Sequence, residues 1–95
     1  MRVHINIQKE GLTIDRSFTA DDAEGIVQQL QDDIAVQIGP PLSMLIRSLP
    51  ATVFVKEIVA QINLGKRTGF PLPNSCDDFL DLVVEQGYAA YIPDE

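Results

Sequence analysis

Residues 2–8 alternate without a break: Val3, Ile5 and Ile7 point one way, and Arg2, His4, Asn6 and Gln8 the other. Residues 12–18 repeat the pattern, with Leu12, Ile14 and Phe18 set against Thr13, Asp15 and Ser17. A period of two is the mark of a strand with one buried face, and two such runs joined around a glycine predict a β-hairpin. Cross-strand partners share a face. The expected register therefore sets Ile7 opposite Leu12, Ile5 opposite Ile14 and His4 opposite Asp15. Gln8, Lys9, Glu10 and Gly11 then form a four-residue loop, with Gly11 at positive φ. Arg16 falls opposite Val3 on the apolar face, where its stem can lie along the core rim and its head reach water.

A half-buried hairpin needs a second layer, and the rest of the chain supplies helices. Thr19-Ala20-Asp21-Asp22 reads as an N-cap with an acid three residues on. Ala20, Ala23, Ile26, Val27, Leu30, Ile34 and Ile38 then form one stripe, with Asp21, Asp22, Gln28, Gln29 and Asp32 opposite. Gly39-Pro40-Pro41 ends this helix. Residues 42–49 predict a short helix with Leu42, Leu45, Ile46 and Leu49 inward. Pro50 fits the first turn of the next, over 50–64.

Thr52-Val53-Phe54-Val55 is rich in strand formers, so a strand through 52–60 competes with that helix. Gly65 followed by Lys66 and Arg67 is a helix-stop signal and favours the helix. Ser75-Cys76-Asp77-Asp78 opens a last helix, with Phe79, Leu80, Leu82 and Val83 inward and Gly87 closing it. Residues 88–92 read as a final strand. Together these predict an α+β, two-layer fold. An N-terminal β-hairpin plus a C-terminal strand form one small sheet, with three to four helices packed on one face and the first strand central. Residues 1–95 contain no repeat or linker and read as a single globular domain.

Composition narrows the function. One cysteine, Cys76, and one histidine, His4, disfavour disulfide frameworks and multi-ligand zinc sites. No cofactor is expected. The net charge of −7 disfavours direct nucleic-acid binding, which needs Lys and Arg to displace counterions. The longest unbroken apolar run, residues 88–92, is too short to span a bilayer. The N-terminus lacks the continuous apolar segment of a signal peptide, so a cytoplasmic location is expected. Charge is segregated. Residues 19–34 and 75–95 carry acids and no base, whereas Arg47, Lys56, Lys66 and Arg67 face Glu57 alone in the middle. The plain interpretation is solvated helix faces; the sharper one is an acidic neutraliser or mimic offered to a basic partner.

Four sets of residues merit weighing as sites. Cys76 stands at a helix start, where the dipole favours thiolate, but Asp77 and Asp78 oppose it and the helical wheel buries it. His4 with Asp15 is half of a triad, Ser17 being the nearest nucleophile; a surface hydrogen-bonded pair is the simpler account. Asp77, Asp81 and Glu85 share a face but lack a calcium-loop pattern. The loop over 65–74, with Lys66, Arg67, Thr68 and Phe70, is the candidate ligand or partner loop. It lacks the first glycine of a phosphate loop, since Ala60 occupies that position. Its simpler role is helix capping, followed by an extended clip that docks Phe70 and Leu72 on the core.

The 50–64 helix carries two apolar ridges. Ala51, Phe54, Val55, Ile58, Val59 and Ile62 should cover the sheet. Val53, Ala60 and Leu64 lie roughly opposite and, extended by Met44, form the candidate interface of a homodimer unless the 42–49 helix covers them. The expected function is a non-enzymatic protein-interaction module that binds itself or another protein. The alternative is a small ligand-binding domain or enzyme using the 65–74 loop with His4, Asp15 or Cys76.

Overall fold

The computed structural model describes residues 1–9 and 12–93. Its elements are β1 (Arg2–Lys9), β2 (Leu12–Thr19), α1 (Ala23–Ile38), α2 (Leu42–Ser48), α3 (Ala51–Lys66), α4 (Cys76–Glu85) and β3 (Ala89–Ile92). The three strands form one antiparallel sheet in the order β2-β1-β3, so the first strand is central as expected. The helices cover the face carrying Val3, Ile5, Ile7, Ile14 and Phe18. These residues join Ile26, Leu30, Val55, Phe79 and Leu80 in one core. The fold class is α+β.

The hairpin register differs from expectation by two residues. Ile7 pairs with Ile14, Ile5 with Arg16, His4 with Ser17 and Val3 with Phe18. A two-residue slip leaves every side chain on its own face, so alternation alone admits both registers. The observed one matches Val3 with Phe18 and Ile7 with Ile14, and brings Gln8 and Lys9 into the ladder, opposite Thr13 and Leu12. The four-residue loop is thereby lost. The positive φ expected of Gly11 lies outside the described residues. Arg16 does occupy the rim: its guanidinium lies 5.0 Å from the Phe18 ring centroid and reaches Asp33 of α1 at 3.1 Å.

The first helix starts later than its sequence suggests. Thr19 is the last residue of β2 and pairs with Arg2, so it cannot be the N-cap. Asp22 takes that role, accepting from the Gly25 N–H at 2.9 Å. Gly25 is needed there, because a Cβ would meet the Ala20 Cβ at 2.7 Å. At the far end Gly39, at φ 78°, returns its N–H to the Ala35 carbonyl.

The 51–66 segment is a helix, not a strand, and Pro50 caps it rather than entering its first turn. Gly65 lies inside the last turn. Arg67, at φ 54°, takes the left-handed position instead. Ser75 caps α4 as expected, accepting from the Asp78 N–H at 3.1 Å. β3 begins at Ala89, one residue later than read.

Candidate functional site

The short helix α2 departs most from its sequence reading. Leu42 and Leu45, expected inward, are 56% and 60% exposed, and Ser43 is buried in their place. Ile38, placed on the inner stripe of α1, is 43% exposed. The end of α2 is held by Gln31 of α1, a buried side chain that sequence reasoning passed over. Its Nε2 donates to the carbonyls of Ile46 and, at 3.0 Å, Leu49. Both carbonyls lie at the C-terminal end of α2, that of Ile46 also accepting from the Leu49 N–H at 3.2 Å, and binding them there ties the helix to α1. The sequence did hold a signal, since Gln31 stands four residues after Val27, inside the apolar stripe.

So held, α2 leaves an apolar groove of about 570 Å³ between itself and α3. Leu42, Leu45, Ile46 and Ile38 line one side. Phe54, Ile58 and Ile62 line the other, with Glu57 as the one charged residue of the lining among the described residues. The second ridge of α3 lies beyond Glu57 and Gln61. Val53 and Leu64 are 41% and 74% exposed and Ala60 is half-buried, while Met44 on α2 is 73% exposed. α2 packs on α1 and leaves Val53 and Leu64 uncovered.

On the other side of α2 lies a polar cleft of about 710 Å³. The first turns of α1, α3 and α4 meet at it. Asp22, Glu24, Asp32 and Asp77 face it along with Arg47. Cys76 lines this cleft and is buried. Burial pushes its thiol above the usual value of 9.0, and the charges of Glu24, Asp77 and Asp22 push it further. This is the opposite of what a nucleophilic cysteine needs. Four carboxylates around the space also oppose an anion that three helix dipoles would otherwise attract.

His4 reaches both partners considered for it. Nε2 lies 2.8 Å from Asp15 Oδ1, and Nδ1 lies 3.1 Å from Ser17 Oγ. Ser17 is directly across the ladder and Asp15 is the diagonal neighbour. The cluster sits on the open face of the sheet, with the His4 and Asp15 side chains 41% and 57% exposed. Acyl-transfer chemistry needs a water-excluded site with aligned oxyanion donors; an open sheet face supplies a surface relay of hydrogen bonds.

The 65–74 loop is tied to the fold through Asn63, another residue that sequence reasoning did not single out. Its Oδ1 accepts from Thr68 Oγ1 and the Phe70 N–H, and its Nδ2 donates to the Phe70 carbonyl. Lys66 lies 4.4 Å from the Tyr88 ring centroid, and Phe70 packs on the core. Leu72, expected to dock, is exposed, and Pro73 is buried instead. Elsewhere the Tyr91 hydroxyl donates to Asp81 at 2.8 Å. Burial raises that phenol to about 12, with the Asp81 bond and charge adding to the effect.

Among the described residues no helix is long and apolar enough to cross a membrane, and no cluster of three metal-ligating side chains forms. The fold and its surfaces thus define a two-layer α+β domain with an apolar groove beside an acidic cleft. No protein-family model, curated protein or solved structure matches the chain.

Proposed function

We propose that this chain is a non-enzymatic protein-interaction module whose partner is a second copy of itself. The supporting observation is the placement of exposed apolar side chains. Among the described residues, seven of the ten large hydrophobic side chains with substantial exposure fall within residues 36–64: Val36, Ile38, Leu42, Met44, Leu45, Val53 and Leu64. The same stretch carries just Arg47, Lys56 and Glu57 as charges, while the whole chain carries −7. Two copies can therefore approach through it with the least mutual repulsion. Interface cores are apolar and depleted in charge, and a stable one takes about 800 Å² from each partner, out of 5792 Å² here. A two-fold arrangement covers the groove and the Val53–Leu64 ridge of both copies at once.

Sedimentation of the wild type should show a dimer at micromolar concentration. Leu45→Glu and Val53→Glu should each give folded monomers, both positions being exposed. A wild-type monomer at high micromolar concentration, or unfolding in place of dissociation, contradicts the proposal. The contacts of His4 with Asp15 and Ser17 favour a second reading, a small ligand-binding domain or hydrolytic enzyme. Covalent labelling of Ser17 by a fluorophosphonate probe, lost in His4→Gln, would support that reading over the first.

A further inference from the structure

The side-chain amide of Gln37 bonds both backbone groups of a single strand residue. The Thr13 N–H donates to Oε1 at 3.0 Å, and Nε2 donates to the Thr13 carbonyl at 2.7 Å. A residue of an adjacent strand would make the same pair of bonds. Thr13 belongs to β2, an outer strand of the sheet. Residues of an antiparallel strand alternate between bonding one neighbour and facing the other way. Thr13, Asp15, Ser17 and Thr19 are thus the residues whose backbone groups face away from β1.

The contact at Thr13 is one of three. Gln29, Asp33 and Gln37 are spaced four residues apart and share one ridge of α1. Gln29 Nε2 donates to the Thr19 carbonyl at 2.6 Å. Asp33 holds Arg16 at 3.1 Å, and Gln37 holds Thr13. These partners are spaced three residues apart along β2, so the helix ridge follows the strand from end to end. Among the described residues, the backbone groups of Asp15 and Ser17 are the outward-facing stretch of β2 to which no α1 side chain is bonded.

An eight-residue outer strand is a template for pairing with another chain. We propose that Gln37, supported by Gln29, acts as a surrogate strand residue that covers the two ends of the outer edge of β2 and prevents it from pairing with the β2 edge of a second copy. The β2 edge lies outside the α2–α3 groove, and the Leu45→Glu background removes association through that groove, so the two ideas are tested separately. Gln37 is exposed, and its replacement removes no core packing.

The test combines amide exchange with sedimentation. In the wild type the Thr13 amide should be protected while the Asp15 and Ser17 amides exchange freely. In Gln37→Ala, Thr13 should lose its protection, with the core amides of Val3 and Ile5 unchanged. The Gln29→Ala/Gln37→Ala double variant should form larger species than the wild type at equal concentration. It should do so also in a Leu45→Glu background, which removes association through the other face. If the double variant fails to fold, Gln37→Ala alone in that background carries the same two measurements. A wild-type Thr13 amide as labile as that of Ser17, or a variant that sediments as the wild type does, overturns the proposal.

Discussion

The helix α2 separates two clefts of similar size and opposite chemistry. Among the described residues, one holds four carboxylates and an arginine around a buried thiol, and the other is apolar with a single glutamate in its lining. The acidic cleft has its charges balanced locally by helix starts and by the Arg47–Asp32 pair at 3.6 Å. The apolar groove leaves leucines in water. A folded chain can solvate carboxylates at little cost but gains nothing from exposed Leu42 and Leu45, so the groove, not the larger cleft, is the stronger indication of a partner.

The sharpest way to break this contrast is Phe54→Ala. Phe54 lines the groove yet is 3% exposed, so the groove floor is also the protein core. The substitution should cost about 3–5 kcal/mol in urea unfolding; a much smaller loss would mean that the groove is loosely attached to the fold.

Gln31→Leu tests the wall itself. It removes the side-chain donor from the carbonyls of Ile46 and Leu49, the first of which keeps the Leu49 N–H, and should cost about 2 kcal/mol. It should also loosen α2, read as faster amide exchange in that helix alone.

Cys76 probes the acidic side. Its native thiol should react slowly with a disulfide reagent at neutral pH and fully once unfolded. Because its folded pKa is raised above 9.0, the associated stability is present below pH 9 and declines as pH rises past that value. Rapid native labelling at pH 7 would restore the case for a reactive cysteine.

The smallest effect is expected at Arg47→Ala. The Arg47 and Asp32 side chains are 51% and 71% exposed. Their loss should change stability by less than about 0.5 kcal/mol, so an effect above 1 kcal/mol would show the acidic cleft to be more tightly built than its exposure implies.

Elements with a strong period were legible in advance. Alternation gave away the hairpin and its buried face, and the 3.6-residue stripes located α1, α3 and α4 with their core residues. Ser75 and its acid three residues on marked the start of α4, because a cap is a local interaction. Burial of Cys76 followed from its place among Phe79, Leu80 and Val83. Less was legible where two local signals competed. Thr19 and Asp22 could both cap a helix, and strand pairing with Arg2 claimed Thr19. Gly65 and Arg67 could both end α3, and the Asn63 contacts with Thr68 and Phe70 favoured the later one.

The chain by itself therefore determined the secondary structure, the sheet's buried face, the central place of β1 and the position of most core residues. These depend on side-chain periodicity and short-range hydrogen bonds, which are properties of neighbouring residues. The tertiary structure alone decided the hairpin register, the outward turn of Leu42 and Leu45, the meeting of His4 with both Asp15 and Ser17, and the cover of one end of the β2 edge by Gln37. The register depends on which apolar side chains meet across the ladder, since alternation allows both, and the His4 and Gln37 contacts depend on which polar group a distant side chain can reach. A glutamine at position 31 or 37 has the same local preferences wherever it sits on a helix, and only the packed fold brings a strand or a helix end within its grasp.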